Sequence, residues 1–266
     1  MLRKIIVGSI EKIMGTESLS SISESIAKIG LRGLGVNIDH GIESGGEDRL
    51  LARLFNTTKG MACFDVGGNV GDCTAALLDK GASKVAVFEL AREPFDRIQT
   101  RFRSDPRVSV FQTALGEKIG AVEFYEAVEE SDSVLATRDA NIIPGSLDRF
   151  VKHEVKMSVD AICKELGYWP QFMKIDVEGF ELEVLSGAPD LLASGILSYV
   201  QFEFGPHHLK RRQNISDFMA VLKNFQFYRL ATHALRPLGD GSHYLHNIYA
   251  YSNIVCVRRG IVLANA

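Results

Sequence analysis

Three features of the chain predict an α/β fold built on a mostly parallel sheet with helices on both faces. From Met61 onward, strand-like and helix-like segments alternate, which is the signature of a parallel sheet covered on both sides. The stretch Met61-Ala-Cys-Phe-Asp-Val-Gly-Gly-Asn-Val-Gly-Asp72 runs from apolar residues through Asp65 into a glycine-rich turn, and Cys73-Thr-Ala-Ala-Leu-Leu78 continues with helical composition. Lys84-Val-Ala-Val-Phe-Glu89 is a second buried-strand pattern that also ends in a carboxylate.

The elements follow in order. Residues 1–60 read as a helical extension outside this core. Ile6, Ile10, Ile13 and Met14 share one helical face, and Leu19, Ile22, Ile26 and Ile29 recur at steps of three and four. Such faces suit packing on the domain or on a second subunit. Gly30-Leu-Arg-Gly-Leu-Gly35 interrupts the pattern, and Asp48 to Phe55 forms a short amphipathic helix that feeds the first strand. A single domain then spans 61–266, with strands expected at 61–65, 85–89 and 108–113 and helices at 72–80 and 94–104. Segments 121–128 and 154–159 look like half-exposed strands, with the polar stretch 129–150 a loop or lid between them. Further strands are expected at 172–176, 199–204, 225–230 and 253–258. Residues 177–185 turn into a helix, and a helix capped by Ser216 covers 216–224.

Bulk composition narrows the functional classes. Of 266 residues, 46% are hydrophobic and 24% charged, as in a soluble globular protein. A formal charge of −3 carries no basic footprint for nucleic acid. Cys63, Cys73, Cys163 and Cys256 form no C-x-x-C pair and have no histidine at ligand spacing, so reduced thiols and a cytoplasmic location are expected, with Cys63 and Cys256 inside strands. The apolar run Ile5 to Ile10 is cut off by Glu11 and Lys12, too short for a membrane span.

The glycine turn has a physical use beyond closing a βα unit. Gly67, Gly68 and Gly71 let the backbone approach a ligand closely, and the helix behind them presents unpaired N–H groups. The pattern is Asp-x-Gly-Gly-x-x-Gly, with Asn69 inside the turn, and not G-x-G-x-x-G. An acid before the turn suits a ligand with a positive group, such as the ammonium of S-adenosylmethionine, better than a pyrophosphate. Glu89 lies about 20 residues past the turn, where a carboxylate accepts hydrogen bonds from ribose hydroxyls. Further along, period-two alternation puts Phe172, Lys174 and Asp176 on one face of a strand, and a lysine there requires a carboxylate partner. Asp176 ends that strand and faces the expected ligand edge, with Glu178, Glu181 and Glu183 behind it. Glu203, His207 and His208 lie at the mouth of the next strand, where Glu203 or His207 could take a proton from an acceptor hydroxyl. His243 and His246 have a spacing that metal sites use, but their Gly/Ser/Asp surroundings read as loop, and no metal site is expected there. Lys210-Arg-Arg212 is a short basic run that either draws in an anionic acceptor or is simply solvated.

With these residues in view, the chain resembles the FkbM family of S-adenosylmethionine-dependent methyltransferases. The resemblance rests on Phe64-Asp-Val-Gly-Gly-Asn-Val-Gly71, Val87-Phe-Glu89, Thr113-Ala-Leu-Gly116, Lys174-Ile-Asp-Val-Glu-Gly-Phe-Glu-Leu-Glu-Val-Leu185, Gly187-Ala188 and Glu203-Phe204. It implies the class I methyltransferase fold, Rossmann-like, with a seven-stranded, mostly parallel sheet whose last strand runs antiparallel. It also implies that Asp65, Gly67, Gly68, Asn69 and Gly71 hold the methionine part of the cofactor. Glu89 with Leu90 would hold the ribose, Gln112, Thr113 and Ala114 the adenine edge, and Asp176 would reach the cofactor as well. Gly68 departs from the alanine common in the family, a change that a glycine turn tolerates. Leu90-Ala-Arg-Glu-Pro94 departs too, since the family places its proline directly after the acid.

The function implied is O-methyl transfer to a hydroxyl of a sugar, a glycan or a secondary metabolite. Asp176, Glu203 and His207 are, in that order, the candidate catalytic residues, and S-adenosylhomocysteine is the product. The resemblance admits a divalent ion near Asp176, for which the sequence shows no full ligand set. The expected partner is a small-molecule or glycan acceptor, with no nucleic acid, no transmembrane segment and a homodimer compatible with the helical extension. Two other functions fit parts of the pattern. A nicotinamide-dependent oxidoreductase shares the strand, turn and ribose acid, and a non-catalytic nucleoside- or partner-binding module shares the fold.

Overall fold

The computed structural model describes residues 19–37, 46–118, 120–128, 134–137, 149–155, 157–241 and 243–264. Two helices precede the sheet, α1 (Ser20–Gly33) and α2 (Glu47–Thr57). The alternating core follows as β1 (Ala62–Val66), α3 (Asp72–Asp79), β2 (Lys84–Phe88), α4 (Arg92–Phe102) and β3 (Val108–Phe111). After β4 (Gly120–Val128), β5 (Val134–Thr137) and β6 (Arg149–Val155) come α5 (Val159–Leu166), β7 (Phe172–Ile175), α6 (Glu181–Ser186), α7 (Pro189–Ser194) and β8 (Tyr199–Phe204). The chain continues through α8 (Pro206–Lys210), α9 (Ile215–Val221), β9 (Phe225–Ala231) and β10 (Ala234–Pro237) to β11 (Ser252–Arg258).

Among the described residues the main sheet has eight strands in the order β3-β2-β1-β7-β8-β11-β9-β10. The first five are mutually parallel, while β11 runs antiparallel to both β8 and β9. The chain builds outward from β1 to β3 and then returns to place β7 on the other side of β1. That reversal opens a crevice at the carboxyl ends of β1 and β7, where open α/β sheets bind ligands.

The alternation of side chains across these strands produces two cores. Phe64, Val66, Met173, Ile175, Val200 and Phe202 point to one face and meet Val184, Leu185 and Phe218. Cys63, Val85, Phe172, Tyr199 and Val255 point to the other and meet Leu50, Leu54 and Phe55 of α2 and Leu77 of α3. Asp65, Lys174 and Gln201 continue the parity of that second face, and the register sets them side by side across β1, β7 and β8. Cys63 and Cys256 are buried in strands as expected, and burial pushes the thiols of all four cysteines up, so they stay protonated and unreactive.

Several expectations need correction. The sheet has eight strands and not seven because β10 folds back on β9 as an edge strand, a place that admits Pro237. The expected loop at 129–150 contains β5 and the start of β6, and β4, β5 and β6 form a separate antiparallel sheet. The remainder of that loop lies outside the described residues. The strand expected at 154–159 ends at Val155, and Val159 opens α5, whose signals were Ser158 accepting from the Ala161 amide and Gly167 at φ +70. The later helix is capped by Asn214, not Ser216, through a capping box with Asp217. Helix α1 buries none of its side chains, so its apolar face, with Ile29 70% exposed, does not pack on the domain. The face expected from Ile6 to Met14 lies outside the described residues. Among the described residues no helix is long and apolar enough to cross a membrane.

Helix α2 belongs to the core by this account. Leu54→Ala is therefore expected to destabilise the protein by about 2–4 kcal/mol, against under about 0.5 kcal/mol for Leu209→Ala at an exposed site. Urea unfolding of both variants measures the difference, and equal midpoints would remove α2 from the folded core.

Candidate active site

Between β1 and α3 the backbone is shaped by its neighbours. Gly67 has φ +85, and a Cβ there would lie 1.8 Å from the Asp176 carbonyl oxygen, so the turn and the end of β7 are in direct contact. At Gly68 a Cβ would lie 2.4 Å from Val87 Cγ1 and 3.2 Å from Ile98 Cδ1. Alanine is thus not a mild replacement in this chain, because Val87 and Ile98 are fully buried and fill its place. The amides of Gly67 and Gly68 donate to the Phe88 carbonyl, tying the turn to β2. Asp65 is 1% exposed and accepts from Thr74 Oγ1 at 2.6 Å. Burial pushes its carboxyl up, while Lys174 and the Thr74 hydroxyl pull it back.

Glu89 ends up at the edge of the turn. Its two oxygens accept from the amides of Asn69 and Ala91, each at 2.8 Å, and Asn69 reaches this position with φ +46. Burial pushes Glu89 up to about 7 against those hydrogen bonds. Leu90 is half-buried beside it. Gln112, Thr113 and Ala114 follow β3, next to Glu89, whose amide donates to Phe111 O. Thr113 is buried and Gln112 half-buried.

Lys174 has the carboxylate partner that its strand position requires, with Nζ donating to Asp176 Oδ2 at 2.8 Å. Burial alone would pull its ammonium down, but Asp176, Glu47 and Asp65 outweigh this and hold it well above its ordinary value. Glu47 comes from the first turn of α2 and accepts from Gln201 Nε2, which also donates to Asn253 Oδ1 at 3.1 Å.

Beyond Asp176 the chain makes a tight bend, with Glu178 at φ +54 and Gly179 at φ +96. A Cβ on Gly179 would meet His207 Cβ at 2.8 Å, so this bend and the first turn of α8 are pressed together. Close side-chain pairs follow from that contact. Glu178 Oε2 lies 2.7 Å from His207 Nε2, Glu181 Oε2 lies 2.9 Å from His208 Nε2, and Glu183 pairs with Arg211, which stacks over Phe180. Glu181 Oε1 also accepts from the amides of Val177 and Gly179. Tyr251 OH lies 3.3 Å from His207 Nε2. Burial pulls His207 down, but Glu178, Glu181 and Glu203 prevail and raise it. For Tyr251, burial and then the charges of Glu178, Glu203 and Asp176 keep the phenol protonated.

Tyr251 lies beside His207 and feels the charges of Glu203 and Asp176, while the acidic run from Glu178 to Glu183 supplies partners for α8. Arg211 serves the same contact. His243 and His246 lie apart, at a short 3₁₀ turn, and burial pulls His246 down. Among the described residues no group of three or more His, Cys, Asp or Glu is arranged to hold a metal ion. Sequence reasoning missed Thr74, Glu47, Gln201 and Tyr251. For Gln201 a signal existed, since a polar residue on the Lys174 face of an apolar strand raises the same question as Lys174 itself.

A mainly parallel sheet with an antiparallel strand inserted between β8 and β9, an acid and glycine turn at the switch point and a carboxylate after β2 define a class I, S-adenosylmethionine-dependent methyltransferase. The methyltransferase FkbM domain matches residues 65–230, and the chain belongs to the FkbM methyltransferase family. Distant structural likenesses include the ribosomal protein L11 methylase of Lactobacillus delbrueckii subsp. bulgaricus, 11% identical over 80% of this chain and 77% of that one, with a TM-score of 0.43. Others are magnesium protoporphyrin IX methyltransferase of Synechocystis PCC 6803 with bound SAM (12%, 80% and 76%, 0.42) and the N-methyltransferase NodS of Bradyrhizobium japonicum (8%, 83% and 99%, 0.43). No curated protein matches the chain.

The Glu181–His208 pair is almost fully enclosed, at 1% and 2% exposure. Glu181→Ala leaves the buried amides of Val177 and Gly179 without their acceptor, so a loss of about 2–4 kcal/mol is expected in chemical denaturation. A loss below about 1 kcal/mol would mean that α8 is held by other contacts.

Proposed function

We propose that this methyltransferase acts on a hydroxyl oxygen of a sugar, a glycan or a secondary metabolite. The observation that carries the reading is the grouping of Asp176, Glu203, His207 and Tyr251 at the carboxyl ends of β7 and β8, beside the glycine turn. A hydroxyl must give up its proton as its oxygen becomes methylated, and this grouping provides acceptors for it. Asp176 is the first of them, oriented by Lys174 at 2.8 Å with its side chain 33% exposed. Glu203 is next. His207 is raised by its carboxylate neighbours, which favours its charged form beside Glu178, and in that form it must release a proton before it can take one up.

In this reading Asp65, Gly67, Gly68, Asn69 and Gly71 hold the methionine portion of the cofactor, Glu89 and Leu90 the ribose, and Gln112, Thr113 and Ala114 the adenine edge. The chemistry of the donor set fits, because among the described residues the carboxyl groups of Asp65, Glu47 and Asp176 outnumber the ammonium of Lys174 beside them. When bound, S-adenosylmethionine supplies a methyl group already activated by its sulfonium. The remaining task of the chain is to align the acceptor and receive its proton. In this reading residues 61–266 carry the methyltransferase chemistry, with α2 packed into their core. A cytoplasmic setting, supported by four free cysteines, and a homodimer using the open face of α1 complete it.

Methyl transfer from labelled cofactor to a panel of hydroxylated and aminated acceptors, with the product located by NMR, tests the reaction. A methyl ether is expected, and a product methylated only on nitrogen would overturn the oxygen assignment. Asp176→Asn should lower the rate by about 100-fold or more. The pH dependence of binding tests the ribose contact. Glu89 is raised from 4.5 to about 7, so the stability it gives the free protein is present below pH 4.5 and lost as pH rises through about 7. Ribose hydroxyls favour the ionised form, so S-adenosylhomocysteine affinity should weaken about tenfold for each pH unit below about 7. Calorimetry from pH 5.5 to 8.5 measures this, and a flat profile would place the ribose elsewhere.

A further inference from the structure

Glu47 stands before the matched domain, in the first turn of α2. An acid at a helix N-terminus usually faces water, where it complements the helix dipole. Glu47 is 8% exposed instead, and its carboxylate accepts from Gln201 Nε2 in the central strand β8. The start of α2 is wedged there, since a Cβ at Gly46 would lie 2.9 Å from the Thr232 carbonyl oxygen. Gln201 is the register neighbour of Lys174, and Lys174 that of Asp65. The row Asp65, Lys174 and Gln201 thus runs from near the carboxyl ends of β1 and β7 to the middle of β8, and Glu47 is fastened to its end.

Charge in this row is unbalanced. Among the described residues Lys174 is the cation set among the carboxylates of Asp65, Asp176 and Glu47, and its ammonium is committed to Asp176 at 2.8 Å. Gln201 holds Glu47 with a neutral amide, so its charge is oriented without being neutralised by that contact. Charges held in a partly buried site act more strongly than in water.

We infer that Glu47 is a specificity-determining residue, which sets the site to prefer a cationic sulfonium ligand over its neutral thioether product. The inference rests on the cofactor placement proposed above. Its consequence is turnover: methyl transfer removes the positive charge from sulfur, and the carboxylate that favoured the methyl donor then gives the product no such advantage.

Affinities measured by calorimetry for S-adenosylmethionine, S-adenosylhomocysteine and sinefungin, whose amine supplies a cation in place of the sulfonium, test this. Glu47→Gln should weaken the first and third by about three- to tenfold and leave the second within about twofold. Glu47→Asp, which keeps the charge, should retain most of the wild-type preference. Should Glu47→Gln fail to fold, Gln201→Leu removes the amide that orients the carboxylate, and the same narrowing of the preference is expected. An unchanged ratio between cationic and neutral ligands in a folded variant overturns the inference, as does an equal weakening of all three. Failure of the wild-type protein to bind any of them would instead overturn the cofactor placement itself.

Discussion

Much of this structure depends on how one buried ammonium is accommodated. Lys174 lies inside the sheet, between strands whose other side chains are mostly apolar, and its charge is tolerable because Asp176 pairs with it and the charges of Glu47 and Asp65 reach it. Each of those carboxylates comes from a different part of the chain. Asp65 lies next to the end of β1, Asp176 follows β7, and Glu47 opens α2, so three elements bring negative charge to the one ammonium side chain of β7. The same convergence sets the charge of the crevice that the strand reversal opens.

Contacts around the crevice are close enough to leave little freedom. The Gly67 position abuts the Asp176 carbonyl, Gly68 abuts Val87, and Gly179 abuts His207. Glycine is needed at these places because neighbouring atoms already occupy the volume of a side chain, and at Gly67 and Gly179 because φ is positive as well. On the far side, α8 is a short helix that would have little stability alone. Its hold on the bend after β7 comes from Glu178 with His207, Glu181 with His208 and Glu183 with Arg211. These pairs place His207 and, through it, Tyr251 where the proposed acceptor hydroxyl would meet them.

Legibility in the sequence followed the range of the interactions. Asp65, Glu89 and Asp176 were readable because each ends a short apolar strand, and the position of a strand's carboxyl end is a local property. Period-two alternation also predicted that Lys174 would need a carboxylate, and it has one. Local signals for α5 were present in Ser158, which accepts from the Ala161 amide, and in Gly167 with φ +70. The edge strand β10 carries a proline and only four residues, too few for a periodic signal. Glu47 and Tyr251 left no local signal, since both reach the site from outside the segment that carries the glycine turn and the strand-end acids.

The sequence by itself determined the alternating α/β order, the glycine turn, the strand-end acids and, through motifs spread from Phe64 to Phe204, the family. Those are set by local backbone preference and side-chain period. Tertiary structure alone decided which residues share the crevice. It placed an N-terminal helix carboxylate beside Gln201, matched the acidic run after Asp176 with the two histidines and Arg211, brought Tyr251 to His207, and added β10 as an eighth strand at the edge. The reason is physical: such contacts join residues far apart along the chain, and only packing the two faces of the sheet selects which distant groups end up within hydrogen-bonding distance.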